Sequence, residues 1–248
     1  MSGHSHWATI RHKKQATDAK KGKIFSKISK LIIVAAREGG GDLSGNYKLQ
    51  YAVSKAREMN MPKENVDKAI KKGTGELEGS QIESVIYEGF GPGGAAIMVE
   101  TLTDNRNRTI PEIRRIFEMR GGNLGATNSV NWMFERKGFF TIAGNLPEDE
   151  LLSAALEAGA ADAELAGDVF EITCSPKDFE KVKTALIAKK LTPKTAEITF
   201  VPKNYVAVNQ KDGQRLMELT EALEDHDDVQ NVYANFDIPE PATGQTEK

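Results

Sequence analysis

The chain has 248 residues, 39% of them hydrophobic, a formal net charge of −3 and one cysteine, Cys174. This length and apolar content exclude global disorder and allow one large domain or two to three small ones. A lone cysteine excludes an intramolecular disulfide and a Cys-rich zinc site, and no apolar run approaches the roughly 20 residues of a membrane span.

The small net charge conceals a polarity. Residues 1–75 carry 16 Lys and Arg against 6 Asp and Glu, leaving 17 of the 33 basic and 30 of the 36 acidic residues for the rest. A balance of +10 followed by −13 predicts that the N-terminal end faces a polyanion, the plainer alternative being a solvated helix with surplus lysines. Without an apolar leader or span, the expectation is a cytoplasmic protein with no membrane partner.

The first segment, Gly3 to Lys14, is dense in groups that suit nucleic acid. Arg11, Lys13 and Lys14 can neutralise phosphates, and His4, His6 and His12 can donate to phosphate oxygens. Trp7 can stack on an unpaired base or pin the arm to the domain behind it. The histidine spacing matches no standard metal-ligand pattern, so no metal is expected. Ile24, Ile28, Leu31, Ile32 and Ala35 then recur at three- and four-residue spacing, which predicts a helix with one apolar face. Lys20, Lys23, Lys27 and Lys30 form a stripe beside that face, and Lys21 adds to the same basic surface. Gly22 marks a bend or a start, and Gly39 to Gly41 an end. A second helix is predicted around Leu49, Ala52, Val53 and Ala56. A third begins near Pro62, with Val66, Ala69 and Ile70 inward and Lys63, Lys68, Lys71 and Lys72 outward. Three short amphipathic helices predict a small bundle.

After residue 75 the pattern changes to strands at 82–88 and 95–103. Gly89, Gly91 and Gly94 formally fit a dinucleotide fingerprint, but a strand follows where that motif needs a helix, so a hairpin connection is expected. Thr109 and Glu112 predict a capping box for a helix to about Arg120. Arg106 and Arg108 lie before that helix, where free N–H groups favour anions. They can hold a phosphate there, or stay solvated and pair with acids. Strands are predicted at 130–136, 138–143, 161–165, 169–174 and 195–201, with helices at 148–158 and 177–190. From 138 to 201 this order is β-α-β-β-α-β, the ferredoxin-like arrangement. A strand at 205–208, a helix at 211–225 and a strand at 229–237 follow. With 95–103, 109–120 and 130–136 they spell the same order again. The acids Glu221, Glu224, Asp225, Asp227 and Asp228 are expected to form a solvated helix end, or else to repel nucleic acid and keep contacts on the basic face. Cys174 reads as core. No nucleophile–base set or carboxylate pair stands in a recognisable motif, so no catalytic residues and no enzyme are expected.

Several stretches carry a resemblance: GHSHWATIRHKKQATDAKKGKIFSKISKLI at 3–32, YEGFGPGG at 87–94, LTDNRNRT at 102–109, GGNLG at 121–125 and DDVQNVYANFDI at 227–238. Together they resemble the YebC/PmpR family, whose mitochondrial relatives act as translational activators. His6 departs from the Lys common there and removes a permanent charge beside Trp7. The resemblance implies a helical domain followed by two α/β domains. It further implies a nucleic-acid-binding regulator of gene expression with no cofactor, of the DNA-binding transcriptional type. Some members instead resemble ribosome-associated RNA-binding translation factors that relieve stalling at proline-rich sequences.

The expectation is therefore an α+β multidomain monomer. A three-helix bundle (1–78) precedes two ferredoxin-like α/β domains, 137–202 being inserted into 79–136 plus 203–238, with a flexible tail at 239–248. The expected partner is DNA or ribosomal RNA, the ribosome included. The expected contacts are Trp7, Arg11, His12, Lys13, Lys14, Lys20, Lys21, Lys23, Lys27 and Lys30, with a second anion site at Arg106 and Arg108.

Overall fold

The structure is a computed structural model, and it describes residues 19–79, 81–143, 148–166 and 169–239. The expected arm at Trp7, Arg11, His12, Lys13 and Lys14, and nearly all of the expected tail, lie outside them.

Three helices open the fold: α1 (Ala19–Gly39), α2 (Tyr47–Glu58) and α3 (Lys63–Thr74). Their shared core contains Ile28, Ile32, Ala35, Leu49, Ala52, Val53, Ala56, Val66 and Ala69, the positions that helical periodicity picks out. Asn46 caps α2 by accepting from the Leu49 N–H, and its side-chain amide donates to the Ala35 and Gly40 carbonyls. Gly73 allows α3 to lie directly on α1, since a Cβ there would sit 2.5 Å from the Ile33 carbonyl. Gly22 neither starts nor ends α1, which runs through it.

α1 is buried on two sides. Val34 packs with Ile82 and Leu102 in a separate cluster away from the bundle core. The unbroken apolar run Leu31 to Ala36 serves both contacts, wider than a single-sided surface helix requires.

Strands β1 (Glu83–Phe90) and β2 (Ala96–Thr103) form an antiparallel hairpin joined by a short turn at Pro92–Gly94. Helix α4 (Arg106–Met119) follows, and the two-residue strand β3 (Asn123–Leu124) returns to β1. The chain rejoins this sheet after residue 202, through β8 (Val206–Ala207), α7 (Gln210–Glu224), β9 (Val229–Ala234) and β10 (Phe236–Asp237). The sheet order is β3-β1-β2-β9, with β8 and β10 paired separately. One face, including Ile97, Val99, Val232 and Ala234, packs on α4 and α7 through Ile113, Phe117, Leu216, Leu219 and Leu223. Gly89 and Gly122 sit where a Cβ would come within 2.6–2.7 Å of the Asn123 and Phe90 carbonyls, which gives both glycine motifs a packing role.

The second sheet contains β4 (Phe134–Ala143), β5 (Asp162–Ala166), β6 (Val169–Cys174) and β7 (Thr195–Pro202), with helices α5 (Glu148–Glu157) and α6 (Phe179–Ala188). Its antiparallel order, β5-β6-β4-β7, is that of a ferredoxin-like β-α-β-β-α-β unit. The strands expected separately at 130–136 and 138–143 are one strand. Gly138 does not interrupt it, because β4 pairs with β7 from Phe134 to Thr141. Residues 134–136 therefore belong to the second sheet; the first sheet uses β1 and the short β3 instead, and β8, expected as one of its strands, pairs with β10 outside it. Phe134 and Phe200 pack on Ala96, Met98 and Tyr233 and join the sheets. The bundle meets the second unit where the Tyr51 and Phe179 rings stand edge-on, centroids 5.4 Å apart.

Sheet membership supports the proposal that 137–202 is an insertion within one outer domain. Limited proteolysis should leave the segments 82–124 and 205–237 associated. Release of 82–136 as a stable piece without 205–237 would overturn it. None of the described helices is long and apolar enough to cross a membrane.

Candidate nucleic-acid interface

The N-terminal half of α1 faces the end of α7. Lys27 donates to the Glu224 carbonyl at 2.7 Å, and Lys23 to the Asp225 carbonyl at 3.2 Å. The last carbonyls of a helix have no intrahelical partner and carry partial negative charge, so these lysines cap α7 from another domain. Lys23 also pairs with the Asp227 carboxylate at 3.2 Å and keeps 56% of its side-chain surface exposed. Burial lowers the Lys27 ammonium from its ordinary value, against the opposing pull of Glu224.

The contact centres on Asp228, whose side chain is 3% exposed. Lys30 Nζ meets its Oδ1 at 2.7 Å, and Arg108 Nη2 meets its Oδ2 at 2.7 Å. The Thr109 hydroxyl donates to Oδ2 at 2.8 Å, and the Thr103 hydroxyl lies 3.1 Å from the same oxygen. Burial alone would raise this carboxyl, but the hydrogen bonds from Lys30, Arg108 and Thr109 outweigh it and hold the pKa well below the usual carboxylate range. His226 Nδ1 accepts from the Asp228 N–H, so its Nε2 carries the proton shared with Glu112 at 2.8 Å.

Two expectations change here. The acids at 224–228 are not simply a solvated helix end; they and their carbonyls receive the α1 lysines. The helix after Asp104 begins at Arg106, capped by Asn105, whose Oδ1 accepts from the Arg108 N–H. Thr109 lies inside that helix, its hydroxyl drawn to Asp228 instead of capping the backbone.

The structure separates the expected contact residues. Lys20 and Lys21 lie in α1. Lys23, Lys27 and Lys30 engage the 224–228 segment. Arg108 binds Asp104 and Asp228, while Arg106 makes a looser exposed pair with Glu83 at 3.6 Å. Lys23, Lys30 and Arg108 border an open cleft of about 820 Å³ shared with Asp104, Glu112, Asp225 and Asp227, so the field there is mixed in sign. By contrast, Lys63, Lys68, Lys71 and Lys72 on α3 lie toward solvent and have no acidic partner among the described residues. Helical spacing places them outward, and nothing in the charge pattern alone ranks them above the α1 stripe.

Cys174 is 1% exposed, and burial, with Asp178 adding, pushes its thiol up to about 11, far from a reactive thiolate.

Residues 5–76 match the model of the TACO1/YebC protein N-terminal domain, and residues 82–236 match that of the TACO1/YebC second and third domain. A "probable transcriptional regulatory protein" of Dictyoglomus turgidum is 54% identical over 242 residues, covering 97% of each chain. One of the same description from Desulfatibacillum aliphaticivorans is 50% identical over 246 residues, covering 99% of this chain and 100% of its own. The crystal structure of a conserved hypothetical protein from Aquifex aeolicus is 46% identical, superposes with a TM-score of 0.83, and is matched over 97% of this chain and 100% of its own. With family domains matched along most of its length and relatives of half-identical sequence, this chain belongs to the TACO1/YebC family.

Proposed function

We propose that this chain is a regulator of gene expression that binds nucleic acid through its basic N-terminal domain. One observation carries the reading: Lys63, Lys68, Lys71 and Lys72 stand toward solvent on α3, unpaired with acids among the described residues, within a segment whose charge balance is strongly positive. The name given to the relatives supports transcriptional regulation, and so DNA as the polyanion. A second reading, an RNA-binding factor acting at the ribosome, is favoured by an exposed tryptophan, Trp132, of the kind that stacks on unpaired bases.

The test is made on α3, because reversing Lys27 or Lys30 would break their bonds to 224–228 and confuse folding with binding. Binding to duplex DNA and to single-stranded RNA is measured across a range of salt. About six neutralised phosphates give a slope of log K on log salt near −5 for duplex, less for single strands. Reversing Lys68, Lys71 and Lys72 together to Glu should flatten that slope by about 0.9 for each phosphate that is no longer neutralised. An unchanged affinity and slope would overturn the assignment to α3. Crosslinking in cells separates the two readings, since promoter DNA supports the first and ribosomal RNA the second.

A further inference from the structure

Residues 128–133 form a loop built around a buried acid. Glu88, 4% exposed on β1, accepts from the Asn128 N–H through Oε1, and from the Val130 and Asn131 N–H groups through Oε2, each at 2.7 Å. A buried carboxylate is costly unless its oxygens are satisfied, and three backbone donors fix this loop firmly around it. Asn128 completes the turn with a positive φ of 66°.

What the loop presents is Trp132, an indole with 63% of its surface in solvent. Its Nε1–H already donates to the Ser129 carbonyl at 3.2 Å. The ring is thereby oriented and its one donor satisfied, so what it offers a partner is its face. Lys203 reaches the same turn, its Nζ donating to the Trp132 carbonyl at 3.0 Å and its N–H to the Met133 carbonyl at 2.8 Å. Of the two cations in residues 119–134 and 202–209, Arg120 is paired with Glu218 at 3.3 Å, whereas Lys203 meets only backbone carbonyls of this turn among the described residues.

We propose that Trp132 is a stacking platform for an unpaired nucleobase, with Lys203 supplying positive charge beside it. The inference rests on the nucleic-acid reading above and assigns it a second contact, far in sequence from the basic domain. A preset aromatic face loses little conformational entropy on binding, and every base offers a π-face to it. A lysine beside the ring suits a phosphate backbone better than it suits a basic protein surface.

The chain has two tryptophans, Trp7 and Trp132, so Trp7→Phe leaves Trp132 as the sole indole reporter. Titration with short oligouridylate or oligodeoxythymidylate should quench its emission, whereas a duplex of equal length should quench it far less. Trp132→Ala should weaken single-strand binding roughly 5- to 150-fold, the equivalent of ~1–3 kcal/mol. Trp132→Phe should retain most of the affinity, and both variants should melt as the wild type does. Wild-type binding that survives Trp132→Ala unchanged, with no quenching, would overturn the platform and leave the α3 interface standing. A wild-type chain that binds no oligonucleotide at low salt would overturn the nucleic-acid reading itself, and the platform with it.

Discussion

Replacing Asp228 with Ala should cost about 3–5 kcal/mol of folding stability, the range for breaking one side of a buried ion pair. The loss falls mainly on Lys30, which is 19% exposed and would keep its charge with only the Asp227 carbonyl, 3.3 Å away, to meet it. Arg108, 45% exposed, can recover much of its hydration and adds less. Thr103 and Thr109 lose an acceptor in the same step. Asp228→Asn keeps the shape but turns an amide donor toward groups that already donate, and should cost about 2 kcal/mol. At about 2–4 °C per kcal/mol for a chain of this size, a thermal melt resolves both. The sign with pH follows from the lowered pKa. Between the folded and unfolded pKa the unfolded chain binds more protons, so stability rises with pH there. The contribution is complete above about pH 5 and fades as pH falls through about 4 into strong acid. Wild type should therefore lose stability on acidification more steeply than Asp228→Asn. Parallel pH profiles for the two would show that this carboxylate is not the linkage between the domains.

Much of the local architecture is legible in the sequence, because local architecture follows periodicity. All four apolar positions named for α2 are buried, as are Val66 and Ala69 on α3. Ranges for β5, β6 and β7 fall within a residue or two, since each of these strands is short and bounded by turn residues. What is not legible is which surfaces meet. Lys30 and Asp228 lie 198 residues apart, and no spacing rule connects a basic stripe on one helix to the acidic end of another. The stripe and the acids each read as solvated or ligand-binding when taken alone. One clue is present: the run Leu31 to Ala36 is too wide for a helix with a single buried face, so α1 needs a second neighbour. The long strand β4 reads as two strands parted at Lys137, yet it runs on unbroken, and Gly138 marks a close approach, since a Cβ there would meet Cys174 Sγ at 2.6 Å. Glu88 is hidden for a similar reason. Nothing in YEGFGPGG marks it for burial; its acceptors are filled by the returning loop at 128–131.

Glu88→Ala should lower stability by about 3–4 kcal/mol and should also release Trp132. Three backbone donors lose their acceptor together. The Val130 donor is the most costly, because Val130 is fully buried and no water reaches it. Those of Asn128 and Asn131 are partly buried and recover some hydration. Glu88→Gln separates charge from shape. Its single carbonyl can serve the Val130 and Asn131 donors, but its amide then points N–H against the Asn128 N–H. A loss of about 2 kcal/mol is expected, concentrated in the loop. In a Trp7→Phe background the indole at 132 reports the local event apart from global unfolding. Freed from its hydrogen bond to Ser129, its steady-state anisotropy should fall in both variants while far-ultraviolet circular dichroism stays native. The same variants should lose single-strand affinity although Glu88, 4% exposed, touches no ligand. That loss should be smaller in Glu88→Gln than in Glu88→Ala, following the order of loop disorder. Native anisotropy in a fully stable Glu88→Ala chain would show that the loop holds its shape without the carboxylate, and would leave the burial of that charge to be explained by contacts other than these three.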